Sequence, residues 1–414
     1  FGLFVDDVAT WVAHPNPKIA VSLMQDRLTS IYNWREFHLI TFNASKFKLF
    51  DLSGAGGAIP FDIKFGDSLL SWTLQFDDDK YLGVYIDDER TFLPHLKTVY
   101  QKMTKRQYMI LNHSHFALGS NPQFLLQMFQ AYILSILDYG SPLWIFRLFC
   151  DPTTQFHWRN PVRPLYKNIW TRIVTLYNTL LRKILGVPPG TATLVVYIRS
   201  GMLPLDYHLA LNSLTWFLKI KNDDTGILHD QYISSLANDE TWENSYFYRP
   251  SYDLLTRLNT WSPYDLFKLS GFKCKDKIRA AMCSELRDYW LNDGKSAFSK
   301  RIYNYNWPSY KLNGVILSKI TTTWYHQIAC GRGRFRERMN LFDPSISPTC
   351  RFGCPANETV DHIFTSCPHL VVSRADLKIQ CTSFDLRYNL KSLFTDPRLQ
   401  IPVERFLLTL ISHT

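Results

Sequence analysis

Phe1-Gly2-Leu3-Phe4-Val5-Asp6-Asp7-Val8-Ala9-Thr10-Trp11-Val12 places two apolar runs on either side of an acidic pair. Short apolar runs around turn-forming residues predict a β-hairpin with Asp6 and Asp7 at its tip. Adjacent carboxylates repel each other, so the pair needs water or a counter-charge. Two readings follow. Asp is common in turns, which makes the pair a solvated tip. Alternatively the pair supplies oxygen ligands to a divalent cation, since Mg²⁺ takes one or two carboxylates plus substrate phosphates. Two such ions, about 4 Å apart, would activate a hydroxyl and stabilise a leaving pyrophosphate.

Outward from the hairpin, residues up to 90 mix short strands with one helix. Ile19, Leu23, Leu28, Ile31 and Trp34 recur near helical spacing and predict a helix over 18–34. Segments 47–52, 63–65 and 81–86 predict strands. Gly54, Gly56 and Gly57 make a loop without the phosphate-loop pattern. After residue 88 the pattern turns helical, over 96–118, 123–144, 168–185 and 205–221. Pro142, Pro161, Pro164, Pro188 and Pro189 punctuate the gaps. Residues 223–263 are polar and irregular and predict a linker. Later helices are expected over 275–291, 312–328 and 401–412. The fold class is therefore α+β, with a short β-rich start, a mainly α-helical middle and a small metal-bound C-terminal domain. No internal repeat or low-complexity tract is present.

The 414 residues exceed the roughly 250–300 at which a single core stops growing, so several packed units are expected. A hydrophobic share of 46% with 15% aromatics excludes a disordered chain. Lys+Arg of 46 against Asp+Glu of 36 leaves +10, which favours nucleic acid first and a membrane surface second. The longest apolar stretch, 124–146, contains Gln127, Gln130, Asp138, Gly140 and Pro142. It predicts a buried helix ending at a turn, not a membrane span. No segment reads as a signal peptide. The chain begins with Phe1 rather than Met, which suggests a fragment or a processed product.

Eight cysteines are too sparse for a secreted disulfide scaffold. Three of them cluster in Cys350-x3-Cys354-x7-His362-x4-Cys367. Three thiolates and one imidazole make a closed tetrahedral Zn²⁺ site of structural type. His369 is an alternative ligand past Cys367. Glu358-Thr359-Val360-Asp361-His362 predicts a short helix with acidic residues at its start. Just upstream, Arg332, Arg334, Arg336 and Arg338 alternate. They share one side if extended and spread apart if helical. They read either as a phosphate-binding platform or as an exposed basic turn.

In chain order, Phe4-Val5-Asp6-Asp7, Trp34, Asn43-Ala44-Ser45-Lys46 and Lys80-Tyr81-Leu82-Gly83-Val84 resemble the palm of a reverse transcriptase. The likeness is to those of non-LTR (LINE-like) retrotransposons. Asp138-Tyr139-Gly140 with Trp144, Arg182-Lys183-Ile184-Leu185-Gly186-Val187-Pro188 and Gly201-Met202-Leu203-Pro204-Leu205 resemble that family's thumb and the region after it. The segment from Glu358 to Pro368 resembles the Cys-Cys-His-Cys element that ends many non-LTR polyproteins.

The resemblance implies a palm remnant over 1–90, a thumb over 91–150 and a helical connector over 151–222. A linker and helical region follows over 223–311, then a C-terminal zinc-knuckle domain over 312–414. It implies Asp6 and Asp7 as Mg²⁺ ligands of a two-metal centre when the full palm is present. Lys46 would then be a proton donor to pyrophosphate, or else a surface lysine. Lys80, Tyr81, Leu82 and Gly83 would form the primer grip. Lys102, Lys105 and Arg106 would turn toward a duplex groove, or else make a solvated helix face.

The function implied is a share in an RNA-directed DNA polymerase, a nucleotidyltransferase of a transposable element. Its partners would be RNA template and DNA primer or their duplex, with other ribonucleoprotein subunits and no membrane. Its place would be a nuclear or cytoplasmic ribonucleoprotein. The family's palm also needs an aspartate on an earlier strand, so this chain alone is expected to be catalytically incomplete. The second reading is a domesticated fragment serving as a structural RNA-binding subunit of a ribonucleoprotein, which would place it in an organelle. Dinucleotide-binding, RNase H and restriction-like endonuclease patterns are not found.

Overall fold

An opening hairpin forms, but Asp7, expected at its tip with Asp6, lies in the second strand. Strands β1 (Gly2–Phe4) and β2 (Asp7–Ala9) pair antiparallel, with Phe4 opposite Asp7. The computed structural model describes residues 2–4, 7–43, 46–51, 61–70, 80–87, 89–114, 121–149, 162–223, 226–239, 242, 245–258, 271–292, 296–303 and 317–412. Asp6 lies outside them. Two compact units divide the chain, at residues 1–98 and 99–414.

In the first unit, α1 (Pro17–Phe37) starts where Asn16 caps it, accepting a hydrogen bond from the Lys18 N–H at 2.9 Å. Pro17 follows at the first helical position, where its missing N–H costs nothing. Below α1 lies the hairpin β3 (Ile63–Phe65) and β4 (Ser68–Leu70). Leu28, Leu49, Ile63, Phe65 and Leu70 form the small core, with Met24, Tyr32, Phe42 and Phe47 packed against it. On β3, the Gln25 side chain makes the two hydrogen bonds to Lys64 that a neighbouring strand would make. Its amide donates to the Lys64 carbonyl at 3.0 Å and accepts from the Lys64 N–H at 2.8 Å. This holds the helix to the sheet edge and satisfies both backbone groups.

Two strand predictions are corrected. Residues 46–51 hold only an isolated bridge residue, Leu49. Phe47 and Leu49 turn inward and Lys46, Lys48 and Phe50 outward, so the alternation is real but no named strand is built on it. Residues 81–86 are not one strand. They form the hairpin β5 (Lys80–Tyr81) and β6 (Val84–Tyr85), turning at Leu82 and Gly83.

Asp87 caps α2 (Leu93–Ser114) by accepting from the N–H groups of Thr91 at 3.0 Å and Phe92 at 2.6 Å. The second unit is helical among the described residues. The helix predicted over 123–144 is interrupted. α3 (Pro122–Phe129) passes through a π turn, Gln130–Leu134, into α4 (Ser135–Asp138). Gly140, at φ +68, ends it, and Pro142 opens the separate α5 (Ser141–Phe149) from its first turn.

α6 (Lys167–Leu185) buries Trp170, Ile173, Tyr177, Leu180, Leu181, Ile184 and Leu185, one continuous stripe at helical spacing. α7 (Thr193–Ser200) and α8 (Leu205–Lys221) follow. α8 is buried on nearly every side because α4, α5 and later helices surround it. The predicted linker over 223–263 is corrected. It contains α9 (Ile227–Leu236) and α10 (Tyr248–Arg257), both packed on α8. Its aromatic residues carry the packing, with Tyr232 and Phe247 rings 5.5 and 6.3 Å from Phe217. α11 (Gly271–Asn292) also lies on α8, and α12 (Ala297–Tyr303) follows.

The last helix group is α13 (Lys319–Ala329), α14 (Arg336–Asn340), α15 (Val371–Ser383), α16 (Leu390–Thr395) and α17 (Gln400–Ile411). Ser318 caps α13, so this helix starts at 319 rather than 312 among the described residues. Two buried polar groups tie it together. Arg199 of α7 donates to His326 Nδ1 at 2.9 Å and to the Phe394 carbonyl at 2.6 Å, and lies over the Tyr325 ring. Burial and then the Arg199 charge hold the His326 imidazole well below its ordinary pKa, so it accepts this bond as a neutral ring. Glu404 accepts from the hydroxyls of Thr321 and Thr322 and from the Leu317 N–H, at 2.9–3.0 Å. Among the described residues no helix is long and apolar enough to cross a membrane.

Candidate metal centre and basic segment

The Cys350–Cys367 segment builds its site from tight local turns. The Cys350 N–H donates to the Ala356 carbonyl and the Gly353 N–H to the Cys350 carbonyl, both at 3.0 Å. This folds Cys350 and Cys354 onto one side of a knuckle, and Gly353, at φ +80, lets the chain turn. Across from it, a π turn, His362–Ser366, ends with the Cys367 N–H on the His362 carbonyl at 2.8 Å. The wider π turn brings His362 and Cys367 together although they are five residues apart.

The result is a group of four that can hold a metal ion. One ligand atom from each of Cys350, Cys354, His362 and Cys367 lies within 4.8 Å of all the others. The Cys354 and Cys350 sulfurs are 3.6 and 4.0 Å from Cys367 Sγ. A tetrahedral ion with metal–sulfur bonds of about 2.3 Å requires sulfurs roughly 3.8 Å apart. His362 Nδ1 faces the Ser366 hydroxyl at 3.3 Å, and its buried Nε2 has no hydrogen-bond partner. An orphaned buried nitrogen beside three thiols fits a ligand set. Burial, reinforced by the two neighbouring thiols, pushes the Cys354 thiol up to about 12. A cation reverses that balance by stabilising the thiolate.

Glu358 does not open a helix as the sequence suggested. It is fully buried and accepts from the Arg351 side chain at 2.7 and 2.8 Å and from the Arg351 N–H at 3.0 Å. It also accepts from the Arg336 N–H at 3.0 Å, the first residue of α14. Burial works to raise this carboxyl, but Arg351 and the backbone donors outweigh it and hold it below the ordinary carboxylate range. The one carboxylate therefore joins the knuckle to the arginine segment. Composition could not reveal this, because Glu358 looks like any helix-starting acid.

The arginine segment is part irregular and part helical. Arg332 and Arg334 precede α14, while Arg336 and Arg338 lie on it, so the four do not share one side. Arg334 is exposed. Arg332 donates to the Gly190 carbonyl, and Arg338 lies over the Phe342 ring at 5.7 Å. On α2, Lys102, Lys105 and Arg106 are exposed at i, i+3 and i+4 spacing. Arg106 donates to the Tyr132 carbonyl of the π turn at 3.3 Å.

In the first unit, Lys46 is exposed and its N–H donates to the Asn43 carbonyl at 3.0 Å. Lys80 and Tyr81 are exposed on β5. Leu82 and Gly83 both have positive φ, +47 and +83, the geometry of a tight hairpin turn. Asp7 pairs with Phe4 in the opening hairpin, and its carboxylate lies outside the described side chains, as does all of Asp6. Comparison with protein-family models, curated proteins and solved structures returns no match.

Proposed function

We propose that this chain is the C-terminal portion of a non-LTR retrotransposon reverse transcriptase and that it binds template RNA and primer DNA. The carrying observation is the ordered series of short motifs ending in the Cys350, Cys354, His362 and Cys367 group. In this reading the ion is Zn²⁺, held as a structural centre because all four positions are filled by protein. Asp6 and Asp7 belong to a Mg²⁺ centre, with Lys46 near the leaving pyrophosphate. Lys80, Tyr81, Leu82 and Gly83 contact the primer, and the two-residue turn at Leu82 and Gly83 supports that role by presenting backbone at a hairpin tip. Lys102, Lys105, Arg334 and their basic neighbours meet phosphates.

The test combines metal analysis with binding. Purified full-length chain is expected to carry about one equivalent of zinc. It is expected to bind an RNA–DNA heteroduplex in preference to a non-nucleic polyanion such as heparin. A chain that shows no affinity for RNA, DNA or their hybrid would refute the proposal.

A further inference from the structure

A cationic and aromatic cluster surrounds α14. Arg332 reaches the Gly190 carbonyl in the loop after α6, and the Arg338 guanidinium lies over the Phe342 ring. The Arg338 pKa is lowered by burial first and then by the charge of Arg332, so the two cations feel each other. Neither arginine has an ion pair among the described residues. Two acidic residues flank the cluster. Glu337 is exposed, and Asp343 turns to Ser345, accepting from its N–H at 3.1 Å and its hydroxyl at 2.6 Å. Phe342 and its neighbour Leu341 are 73% and 76% exposed.

A guanidinium with no ion pair among the described residues, set over a largely exposed ring, suits a ligand that is anionic along its backbone and carries flat apolar faces. Arg binds phosphate through its planar fork and stacks on aromatic faces. An exposed ring gives an unpaired base a surface to stack on, whereas the bases of a duplex are already stacked on each other. We propose that Arg332, Arg338 and Phe342 form a docking surface for an unpaired stretch of nucleic acid, with one base stacked on Phe342. The inference rests on the nucleic-acid reading above and narrows it to single strands at this surface. Glu358 keeps the surface preformed, because it anchors the start of α14 to the metal knuckle.

The experiment measures binding of the full chain to a labelled unpaired RNA oligonucleotide and to the same sequence as a blunt duplex. Phe342→Ala is expected to weaken the unpaired strand about tenfold and leave the duplex unchanged. Phe342→Trp is expected to keep wild-type affinity for both. Arg338→Gln is expected to reduce the salt dependence for the unpaired strand by roughly one phosphate's share. Zinc content and melting temperature serve as controls that an exposed ring should not move. Wild-type affinity of Phe342→Ala for the unpaired strand overturns the proposal, as does equal loss for strand and duplex. If the wild-type chain binds neither form, the nucleic-acid reading itself fails, and this surface fails with it.

Discussion

At the scale of single residues, Glu358 does the most to organise the end of the chain. A buried ion pair that loses one partner leaves an uncompensated charge behind, at a cost of about 3–5 kcal/mol. Glu358→Gln is therefore expected to lower the stability of residues 330–370 by roughly that amount, read by hydrogen exchange or thermal unfolding. The pH dependence has a definite sign. The Glu358 carboxyl is held below its ordinary value when folded, so its contribution is complete above the unfolded pKa of about 4.3. It is lost as pH falls through the lower folded value. Wild-type protein should thus lose stability in acid more steeply than Glu358→Gln, and equal acid sensitivity would count against the assignment. Cys354→Ser removes one thiolate from a four-ligand set and is expected to abolish stoichiometric zinc and loosen the knuckle. Unchanged metal content in that variant would contradict the site.

At the scale of elements, two turns carry testable strain. Leu82 occupies left-handed backbone at φ +47, which costs an L-residue with a branched side chain about 1–2 kcal/mol. Leu82→Asn supplies the residue this turn prefers and is expected to stabilise the β5–β6 hairpin by about 1 kcal/mol. Local hydrogen exchange would check it. Gly186 closes α6 at φ +66, and an added Cβ would lie 2.9 Å from the Thr323 hydroxyl on α13. Gly186→Ala is expected to cost roughly 1–3 kcal/mol, part of it recovered with Thr323→Ala. Periodicity made the long helices legible, because stripes such as Trp170 to Leu185 survive any tertiary context. The opening hairpin was readable from its two apolar runs. The interrupted helix at Gly140 was only half visible: the turn residues stood out, but their power to restart a helix at Ser141 did not. Residues 223–263 misled because polar composition hid aromatic contacts such as Tyr232 on Phe217. The four residues that can hold a metal ion were legible from spacing alone, whereas Arg351 on Glu358 was not, since a buried pairing leaves no pattern in sequence.

At the scale of the whole molecule, the surplus of +10 is distributed unevenly in purpose. Several cations serve the fold. Arg199 bridges helices in the interior, Arg351 neutralises Glu358, Arg182 donates to the Thr191 carbonyl and Arg172 lies over the Tyr100 ring. Others remain in solvent, among them Lys102, Lys105 and Arg334. The exposed set is what a polyanion would meet, and each phosphate it neutralises releases condensed counterions. The proposed function requires that the chain bind nucleic acid through such contacts. The direct measurement is the affinity of the zinc-loaded chain for RNA between about 50 and 200 mM salt. Log affinity is expected to fall linearly with log salt, at a slope of about −0.7 for each phosphate neutralised on a single strand. No binding at low salt, or an affinity that does not change with salt, would contradict it.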